Sequence, residues 1–184
     1  MLSRNDALKL MEDGIRARNL RFHCLATEAI MRALARDRGA DEDVWGVTGL
    51  LHDLDFEETG DTPEKHGLVA AERLQGLLPD DAVQAIRSHN GELNGTERIS
   101  DFDHLLSAAE SVTGLISATA LIYPERKLAP VKVKSVVKRM TKSGFARAVN
   151  RDCIMECSRA GYELGDFVRL ALDSMKEIAE NIGL

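Results

Sequence analysis

The stretch Trp45-Gly46-Val47-Thr48-Gly49-Leu50-Leu51-His52-Asp53 is uncharged for seven positions and then ends on an imidazole and a carboxylate side by side. Charge is rare in such a run, because an ionised group buried without a partner is costly. At the end of a buried helix the two groups can turn together towards one cation. A neutral ring nitrogen beside a carboxylate oxygen suits Zn, Fe or Mn. The run therefore predicts a helix from about Glu42 to His52, with a candidate metal site at its end.

Outward from this helix the chain reads as helix, short loop, helix. Upstream, Leu20, His23, Thr27, Ile30 and Leu34 recur at helical spacing, and Gly39-Ala40-Asp41 ends that element. Ser3 with Asp6 forms a capping pair that opens a short first helix. Downstream, Gly60-Asp61-Thr62-Pro63 breaks the chain and restarts it. Thr62 suits a cap and Pro63 the first helical position, which puts His66 one turn into a helix. Pro79 begins another helix, carrying Val83, Ile86 and His89, and Ser100 with Asp103 is a second capping box. Pro124 and Pro130 bracket a loop ahead of two or three final helices. The expected fold class is all-α, a compact bundle in one domain over residues 1–184. Its core lies within about 18–123, and a helical extension covers about 131–184.

Composition points the same way. A chain of 184 residues is long enough to bury a substantial core, and 44% hydrophobic residues supply one. Aromatic residues are only 4% and prolines number four, which favours helices over a sandwich of strands. A net charge of −6 argues against a nucleic-acid partner, which calls for a basic face. Cys24, Cys153 and Cys157 form no paired framework, and Met1 to Asp6 shows no signal-like apolar run, so a cytoplasmic protein with reduced thiols is expected. The segment Leu105–Tyr123 carries one charge, Glu110, in 19 residues. Its serines and threonines, together with Glu110, mark a buried core helix rather than a membrane span.

The other histidines extend the candidate site. His23 lies on the apolar face of its helix, where an unpaired imidazole loses hydration. His66 is near Val69, Ala70 and Leu74; His89 is near Val83 and Ile86. Glu110 is the single charge of its helix and needs a partner if buried. Each also has an ordinary reading, as a core histidine bonded to a backbone carbonyl or a glutamate facing solvent. His104, in the first turn of its helix beside Asp101 and Asp103, is expected to be exposed and outside the site. Cys153 and Cys157, one turn apart, read as small core residues.

The order His23, His52-Asp53 and then a downstream carboxylate resembles the HD superfamily of metal-dependent phosphohydrolases. The stretches from His23 to Ala35, Gly49 to Asp55, Glu64 to Gly67 and Ile86 to Asn90 are similar to one bacterial group of HD hydrolases. So are Thr113 to Ile116 and the segments around Phe145 and Asn150, and the group has no assigned substrate. The resemblance implies that His23, His52 and Asp53 bind a metal together with a final acid that is normally Asp. Members with extra histidines hold two metals. Here His66 and His89 would serve the second, with Asp53 bridging and central to catalysis. One departure stands out, since the final acid is Glu110, one methylene longer than Asp. That is about 1.5 Å of added reach against tolerances of tenths of an ångström.

The implied activity is hydrolysis of a small phosphorylated molecule, expected to be a nucleotide, with one or two divalent metals (Fe, Mn or Zn). Two alternatives stay open: a di-iron HD protein that oxidises its substrate, and a silent ligand-binding module. Between Arg126 and Arg151 lie nine Lys or Arg and no Asp or Glu. This segment reads either as a steering surface for phosphate or as a solvated basic face. Arg87, two residues before His89, is the candidate phosphate contact.

Overall fold

Asp41 opens the pivotal helix. Its carboxylate accepts the backbone N–H groups of Asp43 and Val44, and the helix then runs Glu42–Leu51 with every residue from Trp45 to Leu51 buried. The computed structural model describes residues 2–184. Numbered in chain order, its helices are α1 (Arg4–Gly14), α2 (Arg18–Arg38), α3 (Glu42–Leu51), α4 (Leu68–Leu74), α5 (Asp80–Ser88), α6 (Gly91–Asn94), α7 (Asp101–Leu121), α8 (Val133–Met140), α9 (Arg151–Met155) and α10 (Leu164–Glu177). Two 3₁₀ turns, Pro63–Lys65 and Glu156–Ser158, complete them. No strand forms among the described residues apart from an isolated bridge between Gln75 and Leu78.

At the centre of the fold α2 packs against both α3 and α7, and α5 lies against α7 and α3. Gly49 permits the α2–α3 approach, for a Cβ there would lie 2.9 Å from the Thr27 carbonyl oxygen. That closeness brings His23 of α2 beside the end of α3. The ends of α2 and α7 follow local chemistry that the sequence displays. Gly39, at φ +66°, closes α2 in the left-handed conformation. Ser100 and Asp103 form the expected capping box of α7, and Ser3 accepts the Asp6 N–H at the start of α1. One cluster of buried apolar side chains takes in Ile30, Leu50, Leu105, Val136 and Phe167, so α8 and α10 share it with the central helices. No helix among the described residues is long and apolar enough to cross a membrane.

The segment before His66 differs from expectation. Thr62 makes no side-chain cap, and Pro63 opens only a single 3₁₀ turn. His66 follows that turn with φ −61° and ψ 133°, an extended residue outside any helix, and α4 starts two residues later. Gly67 enforces the break. Its φ of +83° is a left-handed conformation, and a Cβ there would meet the Ile86 carbonyl oxygen at 2.9 Å and the His89 ring at 3.1 Å.

Candidate metal centre

His52 and His89 occupy equivalent places. Each is the C-cap of its helix, α3 or α5, and each donates its Nδ1–H to a carbonyl three residues back: Gly49 at 2.8 Å, Ile86 at 2.6 Å. The bond satisfies a carbonyl that a helix end leaves without a partner. It also fixes the tautomer, leaving Nε2 as a bare lone pair.

The Nδ1 atoms of His23 and His66 are bonded by other means. His23 Nδ1 lies 2.7 Å from Thr113 Oγ1, whose hydroxyl proton goes to the Glu110 carbonyl at 2.6 Å, so Thr113 accepts from His23. His66 Nδ1 donates to Asp55 Oδ1 at 2.8 Å, while Asp55 Oδ2 accepts the Gly67 and Ala70 N–H groups, both at 2.9 Å. Neither Asp55 nor Thr113 stands out in the sequence as a site residue. The visible signals are an acid two positions past Asp53 in a buried stretch and a hydroxyl on the long apolar helix.

The four Nε2 atoms converge on Asp53. His23 Nε2 and His52 Nε2 are 3.1 Å apart, and His66 Nε2 and His89 Nε2 are 3.0 Å apart. Asp53 Oδ2 lies 3.4 Å from His23, and Oδ1 lies 3.4, 3.2 and 3.6 Å from His52, His66 and His89. Every Nδ1 proton is spent elsewhere, so each pair of rings presents lone pair to lone pair unless a proton or a cation lies between. Two donor groups follow, His23–His52–Asp53 and Asp53–His66–His89, each with its ligand atoms mutually within 4.8 Å. Imidazoles with one shared carboxylate, each ring oriented by an outer acceptor, fit first-row transition metals.

The protonation states agree with this for His23 and His52, whereas His66 keeps a second proton at neutral pH, shared with Asp53. Burial, only partly offset by the Asp53 carboxylate, pushes His52 down to about 3 and also lowers His23. Despite its burial, Asp53 is held well below the usual carboxylate range by His52, with bonds from His66 and His89 adding to the effect. Burial opposes a charge on His66 as well, but its bonds to Asp53 and Asp55 raise it to about 9.

The remaining expected site residues fall in different places. Glu110 lines the same cavity as the histidines but stands outside both donor groups. Its carboxylate accepts the Ser111 hydroxyl, and burial pushes its pKa up to about 8. Arg87 is not among the residues lining that cavity; its carbonyl accepts the Asn94 side chain at 2.8 Å. His104 is outside the site as expected, but it is not freely exposed, because Glu156 accepts its Nδ1–H at 2.5 Å. In the basic segment, Arg139 and Arg151 bond backbone carbonyls, whereas Lys132, Lys134, Lys138, Lys142 and Arg147 are exposed. The segment adds only Ala148, Val149 and Asn150 to the cavity wall. Cys153 and Cys157 are buried and free, and burial pushes both thiols up to about 11.

The cavity over the donor groups has a volume of about 520 Å³, within the range of small-molecule sites. Residues 21–120, more than half the chain, match the family model of the HD domain, and the chain belongs to that family. Proteins of this family are typically metal-dependent phosphohydrolases. No curated protein and no solved structure matches the chain.

Proposed function

We propose that this chain is a metal-dependent phosphohydrolase acting on a small phosphorylated molecule, with nucleotides the first class to test. His23, His52 and Asp53 would hold one divalent metal, and Asp53, His66 and His89 would hold a second. One observation carries the reading: two pairs of imidazoles meet through their Nε2 atoms, 3.1 and 3.0 Å apart, on either side of a single carboxylate. Fe, Mn or Zn bound there supplies a nucleophile from water at neutral pH and polarises a phosphoryl oxygen.

The chain's own contribution is orientation and one proton. Thr113, Gly49, Asp55 and Ile86 lock the four rings, so the donor set is organised before anything binds. Glu110, on the wall of the same cavity and protonated at neutral pH, donates to the leaving oxygen as the bond from phosphorus to that oxygen breaks. The attacking water forms the new bond to phosphorus, and its proton restores Glu110. This gives Glu110 the part of general acid in place of the ligand role that the family pattern implies. The three buried free thiols suit a reducing, cytoplasmic setting.

Metal content and hydrolysis of nucleoside monophosphates and p-nitrophenyl phosphate test the reading together. The expected result is two metals per chain, with Glu110→Gln keeping both and losing on the order of 10²- to 10⁴-fold in kcat. Absence of turnover with Mn, Fe and Zn alike would overturn the hydrolase. Loss of metal from Glu110→Gln would return that residue to the ligands.

A further inference from the structure

The wall of the metal cavity is unusual for a site that takes an anion. None of its lining residues is Lys or Arg. Besides Asp53, the acidic residues it contains are Glu92 and Glu110, the latter neutral at pH 7. Arg98, which pairs with Glu92 of this wall, is already committed. It binds Glu92 through two bonds of 2.7 Å, donates to the His89 carbonyl and is 9% exposed.

Several polar atoms of the wall are committed as well. Asn90 donates its amide protons to the carbonyls of Pro63 and His66. Asn150 accepts the Asp152 and Cys153 N–H groups at the start of α9, and the Ser111 hydroxyl goes to Glu110. The large side chains that stand exposed at this wall are apolar. Phe56 is 49% exposed with its ring nearly perpendicular to His66, centroids 5.2 Å apart, and Leu93 is 59% exposed. Both line the cavity, so two large apolar side chains stand in solvent beside a cluster of metal donors. The metals are then the only cations a ligand meets.

From this we infer that the substrate carries a single phosphoryl group on an uncharged carrier with an apolar, flat face, and that Phe56 and Leu93 grip that carrier. The phosphoryl group is held by the metals alone. A second anionic group would find no Lys or Arg on the wall to receive it. The inference rests on the metal-dependent phosphohydrolase reading for the phosphoryl end and on the wall residues for the carrier end.

Calorimetric binding of phosphonates to the Mn-loaded chain tests it without requiring turnover. Phenylphosphonate is expected to bind on the order of tenfold more tightly than methylphosphonate, from burial of the ring. In Phe56→Ala the ratio should fall towards one at unchanged metal content, and Phe56→Tyr should retain it. A carboxylate added to the ring, as in 4-phosphonobenzoate, should cost on the order of tenfold relative to phenylphosphonate. Equal affinity for phenyl- and methylphosphonate would overturn the inference and leave the hydrolase standing. So would a ratio that survives both Phe56→Ala and Leu93→Ala. Binding of neither phosphonate would overturn both readings.

Discussion

Asp55 accepts three hydrogen bonds, from the His66 ring and the backbone N–H groups of Gly67 and Ala70, and its side chain is fully buried. An amide in its place cannot accept all three, because one of its two ends is a donor facing a donor. Asp55→Asn is therefore expected to cost about 1–3 kcal/mol. For a chain of this size that is a fall in melting temperature of about 2–4 °C per kcal/mol. The same variant releases the His66 ring, so bound metal should drop from two per chain to one while His23 and His52 keep theirs. Unchanged metal content in Asp55→Asn would show that His66 needs no such brace. His23, His52, Asp53, His66 and His89 were readable as candidates because imidazoles and carboxylates are conspicuous in apolar surroundings. Their braces were not. Thr113 is 90 positions from His23, and hydroxyls on buried helices usually bond their own backbone.

At the scale of elements, the second donor group depends on a junction that is not helical. Thr62-Pro63 carries the signature of a helix start, and in isolation that signature is sound. It is overridden because His66 must turn back towards Asp53 while Asp55 takes the N–H groups of the following turn. Gly67 makes this possible by passing close to the end of α5 in a left-handed conformation. Gly67→Ala adds a Cβ against the Ile86 carbonyl oxygen, and with the strain at positive φ it should destabilise the protein by about 1–3 kcal/mol. Because Gly67 lies between His66 and the end of α5, the loss should be selective. Titration with Mn is expected to show one site of wild-type affinity and one weakened site. Equal weakening of both would mean that the two donor groups are not separately built. The other helix ends were legible because their caps are local: Ser3, Gly39, Asp41 and Ser100 act within three or four residues of where they stand.

At the scale of the molecule, the all-helical class was legible from composition, spacing and caps, whereas the way the C-terminal helices attach was not. Tyr162, just ahead of α10, donates its hydroxyl to Asp37 on α2 at 2.5 Å, a contact across 125 positions of sequence. Partial burial and the Asp37 carboxylate raise its pKa to about 12. A phenol raised in the folded state contributes stability that is full below its unfolded value near 10 and is lost as pH rises through about 12. Thermal unfolding should therefore show a steeper loss between pH 10 and 12 in the native chain than in Tyr162→Phe. Identical alkaline profiles would mean that the contact does not tie the C-terminal helices to α2. The basic segment also acquires part of its meaning only at this scale, since Arg139 and Arg151 serve backbone carbonyls of their own loop.

The central claim is that a single ionised aspartate, Asp53, joins two metals. Anomalous scattering at the Mn, Fe and Zn absorption edges, from crystals of protein purified without chelator, tests it most directly. Two peaks about 3.5–4 Å apart are expected, one against His23 and His52 and the other against His66 and His89, with an oxygen of Asp53 at each. A single peak, with His66 and His89 bonded to each other through a proton instead of a metal, would contradict it.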